Sequence, residues 1–289
     1  MSDGVIKVRS DVPFLGALAA ISLMYLLLIV GMLGADLWYS VTSMTRAEFF
    51  GILKDPDIQA SIRLTVISCT LSAILSVVVA VPIGYLLSRY RFFGKTLVDA
   101  VLDIPIVLPP LVIGLSLLIL FNKVSLFGVT LEEASGWLMS PFFPKGSDPG
   151  VTYRVPAVIL AQFTVACAFA VRTMRNTFDQ ISPRSEQVAL SLGCNRSQAF
   201  WYVVVPESWR GITTAGTLAW TRAMGEFGPI LVFAGAIRGR TEVLSTTVFL
   251  EISIGNLEGA VAVSLLMVTI AIVVLIGVRI WDKGHQARI

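Results

Sequence analysis

Two stretches of this chain, residues 12–35 and 64–88, run for 24 and 25 positions without a charged side chain. At about 1.5 Å per helical residue, either one spans the roughly 30 Å hydrocarbon core of a bilayer. Inside that core each backbone N–H and C=O must find a partner within the protein, so a spanning stretch of this length is a helix. The first run exceeds the apolar region of a secretion signal and is expected to stay attached as a first span. Composition agrees: 55% of residues are hydrophobic, 14% are charged and the mean hydropathy is +0.80, whereas soluble domains carry about 25% charged residues.

Further apolar segments complete the pattern. Spans are expected at about 12–35, 64–88, 98–121, 155–171, 211–237 and 259–278. The fold class is therefore an all-α polytopic membrane protein with six transmembrane helices in a single transmembrane domain, 1–289. Residues 36–63 and 122–154 are expected as outer loops. An even number of spans puts both ends on one side. Thirteen of the 22 Lys and Arg fall in 1–11, 88–96, 172–211 and 279–289, against eight in the outer loops and Arg222 within a span. That bias favours both termini and the 175–210 segment as the cytoplasmic side, which is the expected orientation.

The third and fifth spans depart from a plain apolar helix. Pro105, Pro109 and Pro110 interrupt the third, as a simple bend or as a broken helix lining a path. The fifth contains Arg222, roughly 16 Å along the helix from Gly211, which is near mid-membrane. A charge at that depth costs about 3 kcal/mol unless it is paired or wet. Glu226, one turn on, is the expected partner, with Gly225 and Gly228 allowing close approach or local unwinding. The pair serves either to hold helices together or to line and gate a path. Asp99 and Asp103 are expected to meet water or loop arginines. Ser245, Thr246 and Thr247 are expected to cap a helix.

Several chemistries are excluded. The three cysteines, Cys69, Cys167 and Cys194, show no disulfide or metal spacing, and the single histidine, His285, forms no catalytic or zinc motif. Gly94-Lys95-Thr96 lacks the glycine a phosphate loop needs five positions earlier, where Arg89 stands. No catalytic and no metal site is therefore expected, and no Lys/Arg run suggests nucleic acid.

Between the fourth and fifth spans lies EQVALSLGCNRSQAFWYVVVP, residues 186–206, too polar and too short in each half to cross a bilayer. Val188 and Leu192 sit four apart, so a first helix shows an apolar face. Gly193 is expected to end it in the left-handed conformation, Asn195 with Gln198 to cap a second helix, and Pro206 to close that one. On its residues alone, this insert either docks on a partner's groove or lies on lipid with Trp201, Tyr202 and Trp209 as interfacial anchors.

The insert resembles the cytoplasmic EAA loop of membrane-spanning permease subunits of bacterial ABC importers. Gln187, Val188 and Ala189 occupy the E-A-A positions after Glu186, Gly193 is the glycine, and Val203, Val205 and Pro206 form the ending. Gln for Glu and Val for Ala depart from the pattern while its spacing is kept. IPIVLPPLVIGLSLL and RAMGEFGPILVFAG are similar to the molybdate and sulfate permease branch, and the resemblance runs from about Ile62 to Trp281. It implies ATPase coupling through Glu186, Gln187, Val188, Ala189, Gly193 and Pro206, with Glu186 and Gln187 exposed. For a transport role, Pro109, Pro110, Arg222, Gly225, Glu226 and Gly228, read from the broken spans and the charged pair above, are the residues expected to line or gate a path. The implied partners are ABC ATPase subunits that bind ATP and Mg, an extracytoplasmic substrate-binding protein, a second copy of the permease and the lipid bilayer. The chain itself would hold no cofactor. The implied setting is a bacterial or archaeal cytoplasmic membrane, and the cargo a tetrahedral oxyanion, molybdate or tungstate before sulfate. Other readings are an ion- or proton-coupled carrier using Arg222 and Glu226 as a relay, and a non-transport membrane scaffold.

Overall fold

A computed structural model describes residues 12–126, 128–139 and 150–286, and the chain divides into two compact units at Gly51/Ile52. In the first unit, α1 (Val12–Ser43) is an unbroken helix whose large apolar side chains are exposed all round. It continues past Asp36, eight residues beyond the expected span. A charge marks where the apolar surroundings end, whereas helical hydrogen bonding carries on into water. The short α2 (Arg46–Leu53) follows.

The second unit is built on α3 (Pro56–Arg89), α4 (Lys95–Val107), α5 (Pro110–Asn122), a small β1–β2 pair (Ser125–Leu126 with Val129–Thr130), α6 (Leu131–Met139) and α7 (Val155–Gln180). Short helical segments come next: α8 (Arg184–Ser191), α9 (Arg196–Ala199), a π turn (Phe200–Val204) and α10 (Val205–Glu207). The chain finishes with α11 (Trp209–Met224), α12 (Gly228–Phe233), α13 (Leu244–Ser253) and α14 (Leu257–Gln286). Among the described residues, four helices are long and apolar enough to cross a membrane, within α1, α3, α7 and α14, and the bent pair α4–α5 makes a fifth if it is one span. Residues 36–63 and 122–154, expected as loops, therefore hold α2, the start of α3, the β pair and α6. Residues 1–11 and 287–289, counted above with the positive-charge bias, lie outside the described residues.

The core is the contact of α3 with α7. One side of α3 carries Ser61, Thr65, Ser68, Cys69, Ser72, Ala73, Ser76 and Ala80, all buried. Small side chains let the two backbones close up, which is how helices gain dispersion energy where lipid tails are as apolar as leucine. Near the end of the contact Gly84 has no room at all, since a Cβ there would sit 2.8 Å from Met174 Cβ and 2.9 Å from the Arg175 nitrogen. Polar atoms in the interface bond across it. The Ser72 hydroxyl donates to the Ile159 carbonyl at 3.0 Å, and Thr65 accepts from the Leu244 N–H at 2.9 Å, tying α13 to α3.

Both unusual spans are broken helices. α4 and α5 meet at 113°. Leu108 and Pro109 each precede a proline, and both take extended ψ values of 142° and 134°. A following proline ring disfavours the helical conformation, so two in succession stop the helix outright and the bend is no mere kink. The fifth expected span, 211–237, is likewise two helices, with α11 ending at Met224 and α12 beginning at Gly228. The broken pieces pack on each other. A Cβ on Gly228 would meet Pro110 Cβ at 2.9 Å, and one on Gly114 would meet Pro229 Cα at 2.9 Å. Phe121 and Phe233 close the end of this crossing, ring centroids 5.2 Å apart.

Overpacking a closed contact costs about 1–3 kcal/mol. Gly228→Ala is therefore expected to lower the thermal unfolding temperature of the detergent-solubilised protein. Gly225→Ala, where the nearest foreign atom to a new Cβ is 3.8 Å away, leaves it nearly unchanged; equal shifts in the two variants would contradict the crossing.

Candidate coupling loop and translocation path

The segment after α7 folds as helix, glycine turn, helix. Gly193 takes φ +94° with open space around it, so its need is conformational: a residue with a Cβ is strained there. Asn195 caps α9 as expected, its side chain accepting from the Gln198 N–H at 2.8 Å while Gln198 returns the bond to the Asn195 N–H at 2.9 Å. Pro206 does not close the second helix. The backbone instead widens into the π turn at Phe200–Val204 and continues through Pro206 to Glu207. A proline lacks the N–H for an α-type bond and its ring presses on the carbonyl four residues back. The wider turn moves that carbonyl aside, and the helix ends two residues later at Ser208.

The loop's faces separate by size. Ala189 and Ala199 are buried against the unit, whereas Val188, Leu192, Trp201 and Tyr202 are 59%, 81%, 61% and 75% exposed. Gln187 also faces outward. Large apolar side chains held out on a polar helix pair form the kind of patch that marks an interaction surface.

Glu186 does not lie outward as expected. Its carboxylate turns in to α3, accepting from the Tyr85 hydroxyl at 2.6 Å and lying 3.6 Å from Arg89 Nε. Arg89 in turn donates to the Ile181 carbonyl at 3.0 Å. Asp99 of α4 meets an arginine as expected, Arg175 of α7 at 2.7 Å, and Ser88 donates to Asp179 at 2.6 Å. Sequence reasoning passed over Tyr85. It stands 101 positions from Glu186, and its one linear hint is a phenol at the polar end of an apolar run.

On the path side, Arg222 and Glu226 pair at 2.7 Å. Glu226 lies beyond the end of α11, so the pair spans the helix break and does not sit within a helical turn. Glu226 is 1% exposed and Arg222 33%, with the guanidinium 5.4 Å from the Phe169 ring centroid. The Ser245 hydroxyl donates to the Glu226 carbonyl at 2.6 Å, so α13 also holds the break. Gly225 closes α11, and Gly228 with Pro110 forms the crossing described above; Pro109 sits at the α4–α5 corner. Thr246 caps α13, accepting from the Val243 N–H at 2.9 Å. Arg238 is ion-paired with Glu251 at 2.6 Å, and Asn256 donates to the same carboxylate at 2.7 Å. In the adjoining loop, burial pushes the Glu242 carboxyl above the usual carboxylate range, with the Thr247 hydroxyl and Arg238 drawing it back. A polar cleft of about 460 Å³ opens between the end of α7 and the start of α11, lined by Thr173, Asn176, Thr177, Gln180, Arg210 and Thr214 among others.

A family model described as "binding-protein-dependent transport system inner membrane component" matches residues 80–287. The chain belongs to this family. It is 29% identical over 268 residues to the sulfate transport system permease protein CysT of Escherichia coli strain K12, covering 93% of this chain and 92% of that one. It is 30% identical over 231 residues to the molybdenum transport system permease protein ModB of Mycobacterium bovis, covering 80% and 82%. Among solved structures, the crystal structure of a bacterial alginate ABC transporter in complex with alginate pentasaccharide-bound periplasmic protein shares the fold. Its TM-score is 0.69 with 15% identity, covering 92% of each chain. The permease is thus a multi-pass membrane transport component, and the family's role is transport, not catalysis.

Arg222→Ala leaves the buried Glu226 carboxylate without its cation, a loss of about 3–5 kcal/mol in stability. Arg222→Met combined with Glu226→Gln removes both charges and is expected to recover most of it. Thermal unfolding of the three proteins checks this; a double variant as unstable as Arg222→Ala would contradict the pairing.

Proposed function

We propose that this permease is the membrane-spanning subunit of an ATP-driven importer for a tetrahedral oxyanion, molybdate or tungstate first and sulfate next. The observation that carries the reading is the outward apolar ridge of Val188 and Leu192 beside Gln187, on a loop with the spacing found in permeases that are moved by a separate ATPase. ATP and Mg belong to that partner, because the permease brings no phosphate loop of its own. Gly94 stands just before α4 and follows a helix, not a strand, which is the wrong setting for a nucleotide cradle. The ridge and the positive-charge bias support a cytoplasmic loop and cytoplasmic termini.

Cargo would arrive from an extracytoplasmic binding protein and cross between two permease copies by alternating access. Names of the sulfate and molybdenum relatives support an oxyanion, and the chemistry is compatible with one. An anion crossing a low-dielectric region needs donors that hold it weakly, and the guanidinium of Arg222, 33% exposed beside the break that Gly225 and Gly228 border, supplies them. The opposed carboxylate of Glu226 tempers Arg222, so an anion meets a partly neutralised cation. Pro109 and Pro110 complete this candidate gate by fixing the corner against which α12 packs.

In membrane vesicles carrying the permease with its ATPase and binding protein, radiolabelled molybdate or sulfate uptake is expected to stop on ATP depletion and to persist when the proton gradient is dissipated. The reverse result would assign the permease to ion-coupled transport. Gly193→Asp, which strains the φ +94° turn, is expected to abolish ATPase copurification while membrane insertion stays normal. Full copurification would argue against docking through this loop.

A further inference from the structure

The loop between α7 and α11 is continuous in chain with those two helices, yet its side-chain fastenings run to a third. Glu186 of α8 is bound by Tyr85 at 2.6 Å and lies 3.6 Å from Arg89, both on the last turns of α3. Arg89 also holds the Ile181 carbonyl at the entrance to the loop, and Arg196 of α9 donates to the Tyr90 hydroxyl at 2.9 Å. The Tyr85 ring packs edge-on against Phe178 of α7 and Phe200 of the π turn, centroids 5.8 and 4.8 Å away. Four segments of the loop region therefore converge on residues 85–90.

Physical chemistry makes this attachment stiff. The side chains of Arg89 and Glu186 are only 12% and 15% exposed, so neither can exchange its partner for bulk water at little cost, and a bond to an ionised acceptor is among the stronger hydrogen bonds. α3 is a continuous 34-residue helix. Pro82 lacks the N–H for a helical bond one turn before Tyr85, but Gly84, on the Tyr85 side of that proline, lies directly against Met174 and the Arg175 backbone, so a displacement imposed at the end of α3 is passed through the close α3–α7 contact to the rest of the unit. Gln187, Val188 and Leu192 point out, whereas Glu186 turns in beside the buried Ala189 and is the motif's inward-facing charged residue.

We infer that Glu186 is a positioning residue that clamps the coupling loop to α3 through Tyr85 and Arg89, so that movement of the ATPase is delivered to α3 and not only to the helices flanking the loop. The inference rests on the importer reading above. It divides the motif into an outer part that docks and an inner residue that transmits. Docking strength and transport yield then depend on different side chains, which is open to direct measurement.

The test uses the full permease–ATPase complex with its binding protein in proteoliposomes, reading ATPase copurification, ATP hydrolysis and radiolabelled molybdate or sulfate uptake. Glu186→Ala keeps a good helix former on α8, and Tyr85→Phe keeps the ring contacts while removing only the hydroxyl. In Glu186→Ala the ATPase is expected to copurify, but anion taken up per ATP hydrolysed falls about tenfold, the scale of one lost charge-assisted bond. Tyr85→Phe produces a smaller fall, and the double variant is no worse than Glu186→Ala alone, because the two changes remove the same contact. Gln187→Ala instead weakens copurification. Loss of the ATPase from Glu186→Ala would make Glu186 a docking residue and overturn the inference. An unchanged uptake-to-hydrolysis ratio, or losses that multiply in the double variant, would overturn it equally. Failure of the importer reading itself is distinguishable, since the unaltered permease would then retain no ATPase or show uptake indifferent to ATP.

Discussion

The structure depends on how closely α3 and α7 approach each other. In a bilayer the usual gain from removing apolar surface from water is absent between helices, so adhesion comes from dispersion at short range and from polar contacts that have nowhere else to go. A run of Ser, Thr, Ala and Gly on α3 removes the bulk that would hold the axes apart, and the absence of a Cβ at Gly84 lets Met174 and the Arg175 backbone lie directly against it. Hydroxyls in this seam do not weaken it. Several, like that of Thr65, return a bond to a carbonyl one turn earlier, and others cross to a neighbouring segment.

Around that seam the molecule uses two kinds of joint. At the crossing of α5 with α12, helix ends created by prolines and glycines are packed backbone to backbone, which fixes their relative placement without long side chains. At the polar end of α3, joints are made by ion pairs, Arg89 with Glu186 and Arg175 with Asp99, and by the Ser88 hydroxyl donating to the Asp179 carboxylate. The first kind resists compression and the second resists separation. A transport subunit that must change shape while staying assembled is served by both, because packed cores move as rigid pieces and charge-linked ends keep those pieces together.

The break at Gly225–Phe227 brings these themes together. Arg222 at the end of α11 pairs with Glu226 inside it, Ser245 ties it to α13, and Gly228 places its far side on Pro110. Irregular backbone at such a place is tolerated because protein groups take up the bonds the helix gives up. It also leaves polar atoms at the only point in α11 and α12 where the helical bonding is interrupted.

Much of this was legible in the residues. Long uncharged runs announce spans because the bilayer has a thickness and the backbone must be bonded internally. Asn195 with Gln198, and Gly193 before them, announce the cap and turn because those are local requirements of one or two residues. Arg222 demanded a partner, and Glu226 was near enough in sequence to name. What the residues could not announce was anything set by distant segments. Pro109 and Pro110 break their helix by themselves, but that α12 fills the corner they make is decided by the contacts of Gly228 with Pro110 and of Gly114 with Pro229. Glu186 looked outward in the motif and turns inward in the molecule, because Tyr85 and Arg89 lie 101 and 97 positions away. Local hydrogen bonding and the membrane's thickness act along the chain and are written in it; which side chain faces which neighbour depends on helices meeting in space, and only the folded structure decides that.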